Sequence, residues 1–171
     1  MSQHPQARSI IIGAAALALT VASALVIPKL VIPNALAQRP DGHVVLVPEE
    51  IRWSPGPPSI PAGAQAAVMY GDPGKDGLFA LRLKLPKGYA FAPHTRPKPE
   101  IVTVISGTFR LGMGEGADPT KALAAGSFFA LQPGMVHFAF ADEDTVIQLN
   151  SMGPWSLTYV NPKDDPRNIG Q

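Results

Sequence analysis

GYAFAPHTRPKPEIVTVISG, residues Gly88 to Gly107, gathers His94, Arg96 and Glu100 within seven residues of a chain that has only four histidines. An extended run over 91–96 alternates its side chains between faces, so His94 and Arg96 point the same way. The prolines at 97 and 99 bend the chain. The apolar run Ile101 to Ile105 then reads as a second strand, which can return the Glu100 carboxylate to that side. One imidazole, one guanidinium and one carboxylate are thereby expected to meet at one spot.

Outward from this stretch the chain reads as short strands punctuated by turns. On the amino-terminal side, Leu78 to Leu85 alternates cleanly, with Phe79, Leu81, Leu83 and Leu85 on one face and Arg82 and Lys84 on the other, the signature of a half-buried antiparallel strand. Ala66 to Tyr70 is the strand before it, closed by a turn from Gly71 to Gly74. Further back, His43 to Val47 and Ile51 to Trp53 are read as short extended segments, with Trp53 as a lid or packing residue. On the carboxy-terminal side, Ile101 to Ser106 and Thr108 to Met113 flank Gly107 and are expected to form a tight hairpin. Strands at Ser127 to Leu131, Val136 to Ala141, Thr145 to Asn150 and Trp155 to Val160 follow, and the tail from Asn161 is expected to be loosely held. The acidic run Asp142 to Asp144 reads as a solvated turn. No stretch after residue 38 has a helical period.

With 171 residues, 46% of them hydrophobic, the chain is long enough for one domain with a core. Nineteen prolines and sixteen glycines scattered between apolar runs favour many short strands. The expected fold is therefore all-β, a small antiparallel jelly-roll barrel. The organisation read from the sequence is a signal segment over 1–37, an arm over 38–64, the barrel over 65–160 and a tail over 161–171. The absence of cysteine excludes disulfides and thiolate chemistry. The folded part is close to neutral, because residues 1–37 hold Arg8 and Lys29 and no acid. With no basic stripe, nucleic acid is not an expected partner.

At the amino terminus, Arg8 precedes an apolar run from Ile10 to Ile27, and Ala35, Leu36 and Ala37 offer a small-residue cleavage site. This reads as an export signal, which places the domain in the periplasm or outside the cell. An uncleaved anchor is the competing reading, since Ser9 to Ile27 approaches a span of roughly 20 residues. No other contact with membrane is expected.

These residues resemble the cupin superfamily. Gly88, His94, Arg96, Glu100 and Gly107 fall at the places of its first motif, and Gly126, Gln132, Gly134 and His137 at those of its second. The resemblance covers roughly residues 65–160 and extends to a group of small bacterial cupins with an export signal. It implies a divalent metal (Fe, Mn, Ni, Zn or Cu) held by three histidines and one glutamate. This chain keeps His94, Glu100 and His137, but Arg96 stands where the remaining histidine is usual. A guanidinium stays protonated and has no lone pair to give, so Arg96 is not a ligand.

Two functions stay open at this point. In one, His94, Glu100 and His137 hold the metal while Arg96, with Glu100, acts on a small and anionic organic molecule. In the other, Arg96 pairs with Glu100 and the barrel binds a small molecule without metal or turnover. Gln148 and Asn150, which share one strand face opposite Ile147 and Leu149, are assigned to the pocket. Met69, Phe91, Phe109, Phe129 and Tyr159 are read as core or pocket wall. His43 is read as structural or exposed, with a place on the rim as the alternative. Cupins often form dimers, so a homodimer is left open.

Overall fold

The computed structural model describes residues 43–116 and 121–168. The expected export signal over 1–37 lies outside them. Among the described residues no helix is long and apolar enough to cross a membrane.

The chain is all-β, with eleven strands among the described residues: β1 (Ser54–Pro55), β2 (Gln65–Tyr70), β3 (Gly77–Leu85), β4 (Ala90–Thr95), β5 (Glu100–Ser106), β6 (Thr108–Met113), β7 (Lys121–Ala124), β8 (Phe128–Leu131), β9 (His137–Ala141), β10 (Thr145–Gly153) and β11 (Thr158–Tyr159). They form two antiparallel sheets, one in the order β1-β2-β3-β10-β5-β8 and the other β11-β4-β9-β6-β7. This is the jelly roll that the alternation of short apolar runs predicts.

The alternation in β3 is what closes the barrel. Phe79, Leu81, Leu83 and Leu85 are all at most 3% exposed, and they meet Ile147 and Leu149 of the neighbouring β10 across a continuous register. Val102 and Val104 of β5 complete that wall, and Phe91, Phe109 and Ala139 face it from the other sheet. Each large side chain buried in this way contributes about 1.5–3 kcal/mol. The arm is pinned to the barrel by two tyrosines. Tyr89 donates its hydroxyl to the Pro61 carbonyl, and Tyr159 donates to the Ser59 carbonyl at 3.1 Å.

Three local expectations need correction. Residues 43–47 form no strand: Pro48 opens a 3-10 turn, Pro48–Glu50, and the strand that pairs with β2 is only Ser54–Pro55. Ile101 to Ser106 and Thr108 to Met113 are not a hairpin. β5 lies between β10 and β8, while β6 lies between β9 and β7 in the other sheet, so Gly107 is the corner where the chain changes sheets. Its φ is +77°, and a Cβ there would stand 2.5 Å from the Asp144 carbonyl oxygen, which is why glycine occupies it. The last strand shrinks to Thr158–Tyr159, since β4 offers only Thr95 and His94 to pair with. Beyond it, the tail folds into two 3-10 turns, and Arg167 Nη2 donates to the Leu157 carbonyl at 3.2 Å.

Candidate functional site

His94 reaches the barrel interior through an irregularity in β4. Ala90 faces Phe140 and Phe91 faces Ala139, but His94 faces His137, so β4 carries one extra residue between Phe91 and His94. Such a bulge inverts the alternation beyond it. Phe91 and His94 therefore both face inward, although strict alternation would put them on opposite sides. Pro93 suits the bulge because it has no N–H to lose from a ladder. Arg96 follows two residues later and turns the same way, and its backbone carbonyl accepts from Gly134 N at 2.8 Å, tying the two sequence motifs together.

Glu100, the first residue of β5, shares the inward face with Val102 and Val104. His137, the first residue of β9, is the direct cross-strand neighbour of His94, and their rings lie 4.2 Å apart between centroids. His94, Arg96, Glu100 and His137 are all at most 6% exposed. Together they make the polar end of a cavity whose other walls include Phe91, Val102, Phe109, Leu111 and Phe129. Its free volume, measured as the space open to the centre of a water molecule, is about 20 Å³.

Arg96 Nε lies 2.7 Å from Glu100 Oε1. The N–H is not aimed along that contact, so the interaction is an ion pair rather than a directed hydrogen bond. Glu100 Oε2 meets His137 Nε2 at 3.3 Å, and His137 Nδ1 faces the Met135 carbonyl at 3.0 Å. His94 Nδ1 faces the Ala92 carbonyl at 2.8 Å, while its Nε2 is buried without a partner. Trp155 supports the arginine from outside, with the guanidinium carbon 4.7 Å from the ring centroid.

Burial pushes the Glu100 carboxyl up, but the Arg96 guanidinium, with help from His137 and His94, overcomes it and holds the group below its ordinary 4.5. A depressed carboxyl stabilises the fold fully above the unfolded value, and that contribution is lost as pH falls through the folded value. The wild-type protein is thus expected to lose stability below about pH 4.5 more steeply than Glu100→Gln. Urea denaturation over a pH series reads the difference, and parallel curves would show that Glu100 carries no such shift. His94 moves down to about 3, first through burial and then through the charges of Arg96 and His137. It is a neutral ring at neutral pH.

The structure does not put every expected site residue here. Gln148 and Asn150 are not in the cavity wall: Ile147 and Leu149 of the same strand are, so period-2 alternation turns the two amides to the outer face. Gln148 Oε1 there accepts from Arg82 Nε at 3.0 Å. His43 is exposed, and Trp53 lies under the Lys84 ammonium at 4.1 Å, away from the cavity. The sequence reading missed Trp155. Only its place after Gly153 and Pro154 hinted at a fixed position, and nothing in the spacing tied it to Arg96.

The residues present do not fit a divalent metal as they stand. The two histidines hold Nδ1 against backbone carbonyls, as metal-bound imidazoles often do. Glu100, however, has one oxygen against Arg96 and the other against His137, and the arginine adds a fixed positive charge beside the place a cation would occupy. Among the described residues, no three His, Asp or Glu groups come together at metal-binding spacing.

The family described as "Domain of unknown function (DUF4437)" matches residues 33–158. No curated protein matches the chain. Among solved structures, the chain is similar to an RmlC-like cupin from Shewanella frigidimarina, with 18% identity, 63% of this chain and 87% of that one covered, and a TM-score of 0.51. An acetylacetone dioxygenase from Acinetobacter johnsonii matches at 18% identity over 72% of this chain and 80% of that one, TM-score 0.55. The polyketide cyclase RemF from Streptomyces resistomycificus matches at 12% identity over 71% and 88%, TM-score 0.57. Likeness at these identities shows the fold: the chain has the cupin jelly-roll fold.

Proposed function

Since the chain belongs to the family described as "Domain of unknown function (DUF4437)" and folds as a cupin, we propose that it is a metal-free cupin that binds a small organic molecule. The observation that carries this reading is the buried ion pair at 2.7 Å between Arg96 and Glu100, two positions where the cupin motif has metal ligands. The arginine supplies in place the positive charge that the carboxylate requires, so Glu100 is satisfied without a metal.

Binding is favoured over turnover by the state of His94. It is the one imidazole in the site with an uncommitted nitrogen, but with its conjugate acid near 3 it has little drive to take a proton from a substrate at neutral pH. Export to the periplasm or beyond belongs to the same proposal and rests on Arg8, the apolar run Ile10 to Ile27 and the Ala35-Leu36-Ala37 triplet.

Elemental analysis of the full chain, purified without a metal-chelating tag and then incubated with Fe, Mn, Ni, Zn or Cu salts, tests the reading. Metal well below one equivalent per chain is the expected result. A stoichiometric metal would overturn it and restore His94, Glu100 and His137 as ligands.

A further inference from the structure

An antiparallel sheet with one face on the core ordinarily turns polar side chains to water on the other. The larger sheet of this barrel does not. Alternation puts Leu78 and Ala80 of β3, Met152 of β10, Ile101 and Ile105 of β5 and Phe128 of β8 on its outer side. Phe128 is 63% and Leu78 58% exposed, and Ile101, Ile105 and Met152 are each at least 40% exposed. The register gathers them into one patch: Leu78 stands beside Met152, Ile101 beside Ala130, and Thr103 beside Phe128. The other sheet covers its outer aromatic, since the Arg110 guanidinium lies 5.9 Å from the Phe140 ring centroid and pairs with Asp142. Among the described residues, no cation stacks on Phe128 in this way.

An apolar surface of this extent marks an interaction site. We propose that it joins two copies of the chain in an isologous dimer, packed sheet on sheet about a two-fold axis that lies in the interface and crosses the strands. β2, β3, β10, β5 and β8 lie side by side, and β3 alone turns Leu78, Ala80, Arg82 and Lys84 outward. At about 4.8 Å between strands and about 6.8 Å between successive outward residues, that face measures roughly 650 Å². A stable complex buries roughly 800 Å² of accessible surface per partner, so the face is of the size required.

Charge selects the occupant and its direction. Arg82 and Lys84 lie toward the carboxy-terminal end of β3, and their partners are uncharged, the Gln148 amide and the Trp53 ring. The turn before β3 carries the exposed Asp76, whereas Asp72 is held by Lys75 at 3.0 Å. A face that is basic at one end, acidic at the other and apolar between complements itself when a second copy is reversed along the strands. Lys84 then meets Asp76 of the partner subunit. The same reversal sets Phe128 over the small Ala130 of the partner subunit and Asn150 against Gln148 of the partner subunit, so that amide answers amide. A lipid surface would be served by the apolar residues and the cations but leaves the acidic end unexplained. The dimer does not depend on what the cavity holds.

Sedimentation equilibrium of the full chain reads the association directly, and the wild type is expected to be dimeric at about 10 μM. Phe128→Lys, at an exposed position, should raise the dissociation constant at least about a hundredfold, because each interface contains that residue twice. Its circular dichroism spectrum should remain that of the folded barrel. Lys84→Glu and Asp76→Lys should each weaken the dimer about tenfold, and the two together should restore it, a recovery that mere loss of structure does not produce.

A chain that stays monomeric at about 100 μM, whether or not it binds phosphatidylglycerol vesicles, would overturn the proposal. A dimer indifferent to Phe128→Lys would do the same, and is what association through the amino-terminal run Ile10 to Ile27 would give. Failure of the charge swap to restore affinity would overturn the reversed arrangement of the two copies.

Discussion

Arg96→Ala is expected to destabilise the protein by about 3–5 kcal/mol, because it leaves the Glu100 carboxylate buried without its counter-charge. Glu100 is 4% exposed, and His137, at 3.3 Å from its second oxygen, remains in contact with it. The Arg96 aliphatic stem and its stacking on Trp155 are lost in the same substitution, which adds to the cost. The urea midpoint should fall with the slope unchanged, the mark of lost stability rather than a changed denatured state. Arg96→Met combined with Glu100→Leu should recover most of the loss, since an apolar pair of similar volume carries no desolvation penalty. A loss below about 1 kcal/mol for Arg96→Ala, the worth of an exposed pair, would show that the pair does not hold the barrel end together.

Arg96→His is expected to change the metal content from well below one equivalent per chain to about one, the full occupancy of a site with histidine and carboxylate ligands. The substitution does three things at once. It removes a positive charge that opposes a divalent cation, it frees Glu100 Oε1, and it adds an imidazole on the strand face that already presents His94. His94 and His137 both have Nδ1 against a carbonyl, so their Nε2 atoms are oriented for such a ligand. Elemental analysis of the variant beside the wild type reads the change directly. A variant that stays empty would show that something other than Arg96 keeps metal out of the barrel, and would send the argument back to the placement of Glu100.

Much of the barrel was legible in the chain because its core strands obey one local rule. The run Leu78 to Leu85 announces its buried face by alternation, and the structure buries Phe79, Leu81, Leu83 and Leu85. The spacing of His94, Arg96 and Glu100 was legible for the same reason, and the resemblance of motifs added His137. Gln148 and Asn150 were not legible. Alternation separates them from Ile147 and Leu149 but does not say which pair faces in, and a strand with apolar residues on one face and amides on the other can line either kind of pocket. The corner at Gly107 was misread as a hairpin because a glycine between two apolar runs serves both purposes. Which it is depends on β10, β8, β9 and β7, strands distant in sequence that occupy the edges of β5 and β6.

The sequence by itself determined the class of fold, the chemistry of the side chains at the site and the fact that one of them cannot bind a metal, since all three follow from residue type and short-range periodicity. Tertiary structure alone decided how those side chains are spent. The bulge between Phe91 and His94 exists only against β9, and it turns His94 into the barrel opposite His137. The ion pair of Arg96 with Glu100 exists because a bend and a strand start bring them within 2.7 Å in the buried interior. Glu100 Oε2 finds His137 Nε2 on another strand, while His94 Nε2 and the Arg96 Nε and Nη1 atoms are buried without a hydrogen-bond partner. Such a balance is set by contacts between segments far apart in the chain, where local propensity has no influence.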